Sequence, residues 1–132
     1  MTSGILCATD FSSSSTDALK WSIGLAQKLH CHLTLLHTFR LYKHNGEAVA
    51  LKKEMEREAL DKFKVLEHEL LTSAGIPYDF KSEVGFMAHR VGDHTKRNEI
   101  GFLVIGKSMT VHNREAFDEL VDALKVPLVI VP

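Results

Sequence analysis

The chain reads as an α/β protein: an open five-stranded parallel sheet with helices on both faces. Three observations predict this. Short apolar runs alternate with longer amphipathic stretches along all 132 residues. Two of the runs, ILCAT and FLVIG, are apolar throughout, as strands buried on both faces are. The order strand–helix repeats to the end of the chain, and such alternation implies parallel strands joined by right-handed helical crossovers.

Each element has its own signal. Residues 5–11, ILCATDF, form an apolar run that stops at an acid, a buried first strand. Ser14 to Asp17 fits the S/T-x-x-D/E start of a helix. Ala18, Ser22, Leu25, Ala26 and Leu29 then recur at helical spacing, with an end near His30. Residues 31–39 are a second strand and residues 40–48 a loop. A long helix is predicted over 47–73, where Met55, Ala59, Phe63, Leu66 and Leu70 make one apolar face and Lys and Glu crowd the other. Gly75 and Pro77 end it. Residues 77–86 form a third strand, at an edge because one of its faces is polar. Residues 87–99 carry the weakest pattern: Ala88, Val91 and Thr95 line a helix that Gly92 disfavours by about 1 kcal/mol. Residues 102–106 are a fourth strand. Phe117, Leu120, Val121 and Leu124 mark a helix over 115–124, and VPLVIV, residues 126–131, closes as the last strand.

Bulk properties bound the function. The length is that of one domain, with no internal repeat or linker, able to bury a core without disulfides or metal. A net charge of −1 gives no basic excess to hold a nucleic-acid backbone. The N-terminus lacks a basic region before a short apolar run, and no stretch approaches the roughly 20 apolar residues of a membrane helix, so a cytoplasmic protein without membrane contact is expected. Cys7 and Cys31 are expected reduced and buried.

GFLVIGKS, residues 101–108, matches G-x-x-x-x-G-K-[ST], the phosphate loop of nucleotide hydrolases. A phosphate loop must wrap backbone amides around an anion and start a helix at its Lys. Phe102, Leu103, Val104 and Ile105 are instead strand formers. The run TKRNE, not a strand, precedes Gly101, and Met-Thr-Val-His-Asn after Ser108 is a poor helix start. The match is read as a strand running into GKS. In open parallel sheets ligands sit beyond the carboxyl ends of the strands. The candidate ligand pocket is therefore Thr9 and Asp10 after the first strand, Thr38 at the end of the second, and Gly106, Lys107 and Ser108 after the fourth.

ILCATDFSSSSTDALKWSIGLAQKLHCHLTLLHTF resembles the opening of the universal stress protein family, and FLVIG…VPLVIVP resembles its close. The resemblance spans nearly the whole chain, although residues 40–99 match in layout more than in residues. It implies an adenine-nucleotide alpha-hydrolase-like sheet of order 3-2-1-4-5 and homodimers paired through the last strand, here Val126, Leu128 and Ile130. It also implies an adenosine site in many members, with contacts matching Asp10 and Thr38, and phosphates held in G-x2-G-x9-G-[ST]. Gly106 fits the first of those glycines. The second falls on Met109, the Gly-[ST] pair falls near Arg114 and Glu115, and no glycine follows Gly106. Side chains at these positions block close backbone approach. Glu115, Asp118 and Glu119 bring like charge toward a triphosphate, which Lys107 and Arg114 partly offset. No tight cofactor is expected, and the chain is read as a non-enzymatic stress-response domain acting by protein interaction. Weak AMP or ATP binding is the alternative.

Other readings are weaker. Asp10 serves equally well as a ribose or base contact or as a carboxylate near the first helix start. The serine run is a solvated cap before it is an anion site. Eight histidines show no i, i+4 ligand spacing, and His37, inside an apolar strand, reads as a satisfied buried side chain. A phosphoryl-accepting regulator wants paired acids after the first strand, where Asp10 stands alone. Adenylating relatives want glycines that FSSSST lacks.

Overall fold

The computed structural model describes residues 3–41, 46–97 and 99–132. Its five strands are β1 (Gly4–Thr9), β2 (Leu33–Phe39), β3 (Tyr78–Val84), β4 (Ile100–Gly106) and β5 (Leu128–Val131). They form one sheet in the order β3-β2-β1-β4-β5, every pairing parallel. All six residues of β1 are buried, as the apolar run predicts for the central strand.

Side-chain alternation splits the core in two. Ile5, Cys7, Leu33, Leu35 and Val104 point to one face, under α1 (Ser13–Leu29) and α2 (Gly46–Leu66). Leu6, Ala8, Leu36, Leu103 and Ile105 point to the other. There they meet Ala88 and Val91 of α3 (Met87–Arg97) and Leu120 of α5 (Arg114–Ala123). β3 lies at one edge with Asp79, Lys81 and Glu83 on its second face, and β5 lies at the other.

The structure revises several boundaries. The cap of α1 is Ser12, whose hydroxyl accepts from the Ser15 amide, not the Ser14 of the start signal. Phe11 takes a left-handed φ of 62°, and the turn that permits it begins the helix early. The long helix stops being regular at Leu66 and ends in a single π-helical turn, Glu67–Leu71, where Thr72 donates amide and hydroxyl to the Glu67 carbonyl. β2 begins at Leu33 and β5 at Leu128, later than predicted. The pairing of β5 opens with the Leu103 amide donating to the carbonyl of Pro127, a residue with no amide of its own to give. α3 forms despite Gly92, carried by the burial of Ala88 and Val91. The segment after Ser108, a poor helix start by its sequence, makes one turn, α4 (Ser108–Val111). The Thr110 amide and hydroxyl both bind the Lys107 carbonyl and close that turn. Residues 42–45, in the predicted loop, and residue 98, in the run TKRNE, lie outside the described residues.

Both glycines of the phosphate-loop match lie inside β4, and each has a packing reason. A Cβ at Gly101 would come 2.8 Å from the Ser3 Cβ. A Cβ at Gly106 would come 2.5 Å from the backbone carbonyl carbon of Ser14. They let neighbouring chain pass close to the strand.

Candidate functional site

The carboxyl edge of the sheet carries a cavity of about 400 Å³. β1 delivers Thr9 and Asp10 to it, and β2 delivers His37 and Thr38. Ile105, Met109, Phe117 and Leu120 supply its apolar side.

Local chemistry holds the β1 end in place. The Thr9 hydroxyl accepts from the Phe11 amide at 2.9 Å. One Asp10 carboxylate oxygen accepts from the Ser12 amide at 3.0 Å and from the Ser15 hydroxyl at 2.7 Å. This is an Asx turn, the local bond Asp makes readily outside helices. Partial burial pushes the Asp10 carboxyl up, but the bonds from Ser12 and Ser15 outweigh it and hold the group below the ordinary 3.8. Asp10 is thus ionised at neutral pH, positioned by the start of α1, and open to the cavity.

His37 is half-buried; it borders the cavity at its strand end, while its ring packs as a satisfied side chain on the face covered by α1 and α2. Thr9 pairs with it in register, so the two end their strands together. Its ring lies 4.9 Å from that of Phe11 and 6.0 Å from that of Phe39, and its Nδ1 lies 3.1 Å from the Ser82 hydroxyl. Burial, and then the Lys62 ammonium, lower its pKa against the pull of Asp10, so the ring is neutral at pH 7. Strand register would have found it, since a residue opposite Thr9 at a strand end must border the same edge.

The residues expected after β4 are placed differently. Gly106, Lys107 and Ser108 are not in the cavity lining. The Lys107 amide donates to the Val131 carbonyl at 2.9 Å, extending the pairing with β5. The Ser108 amide donates to the Ser14 hydroxyl at 2.9 Å. The Ser108 hydroxyl lies 3.0 Å from the hydroxyls of both Ser12 and Ser14. A knot of serines thereby ties the start of α1 to the loop after β4.

A second chamber, about 560 Å³, adjoins the first. The two share Thr38, Met87, Asn113 and Ala116. Arg40, Phe86, Glu115 and Glu119 border only the second, and the Arg40 guanidinium stacks 4.1 Å over the Phe86 ring. Asn113 caps α5 by accepting from the Ala116 amide at 3.0 Å. Arg114 and Asp118 pair with each other on the exposed side.

Elsewhere the reactive side chains are otherwise engaged. Cys7 and Cys31 are free thiols, both buried. Burial pushes the Cys7 thiol up to about 12, against a hydrogen bond with Ser22, which keeps it protonated and unreactive. His32 binds Asp79 at 2.6 Å and His94 binds Glu83 at 2.8 Å. Among the described residues no His, Cys, Asp and Glu side chains converge as a metal site, and no helix is long and apolar enough to cross a membrane.

The model of the universal stress protein family matches residues 1–132. The chain belongs to that family. Solved structures agree on the fold. The universal stress protein UspA from Lactobacillus plantarum is 17% identical, with a TM-score of 0.78 over 99% of this chain and 98% of that one. A universal stress protein family protein from Arabidopsis thaliana, solved with AMP bound, is 15% identical, with a TM-score of 0.64 over 98% and 90%. The protein from Archaeoglobus fulgidus in complex with dAMP is 12% identical, with a TM-score of 0.67 over 100% and 98%. No curated protein matches the chain.

Proposed function

We propose that this chain is a regulatory universal stress protein of the cytoplasm that acts through protein contacts, without catalysis and without tight ATP binding. The observation that supports this is the closed loop after β4. A phosphate loop presents its amides outward to the anion. Here the amides of Lys107, Ser108, Thr110 and His112 all donate within the protein, to Val131, Ser14, Lys107 and Ser108. The serine hydroxyls that a nucleophile or an anion site would use are bonded to one another. Interaction surfaces remain at the sheet edge. β5 presents Ile130 at 44% exposure, with Val126 and Leu128 half-buried beside it, and a second copy pairing along this strand would cover them.

A second reading is favoured by the cavity itself. Asp10 and Thr38 border a space of about 400 Å³, within the range of small-molecule sites. Relatives of the same fold were solved with AMP and dAMP. In this reading the cavity takes an adenosine-class ligand and the phosphate contributes little.

Calorimetric titration with Mg-ATP and then AMP separates the two. The first reading expects no heat from Mg-ATP up to millimolar concentration. Micromolar Mg-ATP binding, lost in Asp10→Ala, would overturn it. Binding of AMP with an affinity no weaker than that of Mg-ATP supports the second.

A further inference from the structure

We infer that the second chamber selects against phosphate and for a cation, so that the joined cavity suits a nucleoside-like ring carrying a positively charged arm. The inference rests on the adenosine-class reading above and adds the charge of the substituent.

The two chambers adjoin at Thr38, Met87, Asn113 and Ala116, and the inference places the ring in the first with its substituent toward the second. The charged groups that face that substituent are Glu115, Glu119 and Arg40. The two glutamates are four residues apart on α5 and so share one side of the helix. Among the described residues neither is ion-paired, while Asp118 takes Arg114 on the outer side. Arg40 is stacked on Phe86. The first chamber adds ionised Asp10 and neutral His37, and His112 is also on its lining. Carboxylates therefore outnumber cations along the joined cavity.

Helix geometry adds to this. The amino end of a helix attracts anions through its dipole and open amides. In α5 that end is already served. Asn113 caps it, and Glu115 places a carboxylate in its first turn. A ligand phosphate would compete with the protein's own anion for the same field, and it would sit beside two like charges. An ammonium or sulfonium arm meets the opposite balance.

Three probes with one ring and three charges test this: 5′-amino-5′-deoxyadenosine, adenosine and AMP, titrated calorimetrically into the full chain at physiological salt. The amine is expected to bind at least about tenfold tighter than AMP, with adenosine between them. In the double variant Glu115→Gln, Glu119→Gln the gap is expected to close to about twofold. Both side chains are exposed, and a thermal melt checks that the variant folds. AMP binding as tightly as the amine in the unaltered chain, or a gap unchanged in a folded double variant, overturns the inference and leaves the adenosine-class reading standing. No binding by any of the three removes that reading and this inference with it.

Discussion

The loop after β1 and the loop after β4 lie side by side at the carboxyl edge of the sheet, and both carry hydroxyls. After β1, local bonds shape the chain and leave function exposed: Asp10 anchors the turn through one oxygen, yet its carboxylate still lines the cavity. After β4, the same kinds of bond turn inward. The Ser108 amide donates to the Ser14 hydroxyl, which in turn donates to the Ser108 hydroxyl, and Lys107 and Ser108 lie outside the lining. A run of polar residues thus says little about ligand binding until its partners are known. What separates the two loops is whether donors and acceptors are consumed by the fold or left to a ligand.

The sharpest way to break this contrast is at Gly106. Its missing side chain lets Ser14 approach, and a Cβ there would meet Ser14 backbone that has no room to rotate away. Gly106→Ala is expected to destabilise by about 3 kcal/mol, as overpacking in a tight site does. In a domain of this size that lowers the melting midpoint by roughly 10 °C. A midpoint unchanged within error would mean that the two loops are not pressed together. Gly101→Ala, which meets only the Ser3 side chain near the chain start, is expected to cost less.

Ser14→Ala probes the same contact more gently. It removes the acceptor of the Ser108 amide and one hydroxyl partner of Ser108. The cost is about 1–2 kcal/mol, read by urea denaturation. The released amide lies outside the cavity lining, so AMP affinity is expected to stay within about twofold. A rise of about tenfold or more in AMP affinity would show that the loop, once released, reaches the ligand.

These experiments also mark where sequence reading ends. The strands and their buried faces were legible because alternation is a local property: Ile5 and Cys7 on one side, Leu6 and Ala8 on the other. β3 was legible as an edge because Asp79, Lys81 and Glu83 cannot sit under a helix. Asp10 and Thr38 were legible as cavity residues from their places at strand ends. His37 was not, because its neighbours Phe11 and Ser82 come from other elements. The start of α1 at Ser12 depends on the left-handed turn at Phe11, which Asp10 supports. α4 depends on the Thr110–Lys107 bonds, and the need for glycine at Gly106 depends on Ser14, far away in the chain. Pairings remote in sequence leave no periodic trace.

The smallest expected effect belongs to Asp10, and its sign can be worked out. The folded protein holds this carboxyl below the ordinary 3.8, so the unfolded chain binds the proton more readily. The resulting stability is complete above about pH 5 and is lost as pH falls through 3.8 toward the folded value. The group is exposed, so screening keeps the contribution under about 1 kcal/mol at pH 7. Asp10→Asn keeps an oxygen for the Ser12 amide and removes only the charge. Denaturation of both proteins at pH 7 and near pH 2.5 is expected to show a small deficit in the variant at pH 7 that vanishes in acid. Other titrating groups cancel in that difference. A deficit that persists in acid would place the stabilisation in the geometry of the turn. The open loop would then resemble the closed one, with its polar atoms serving the fold first.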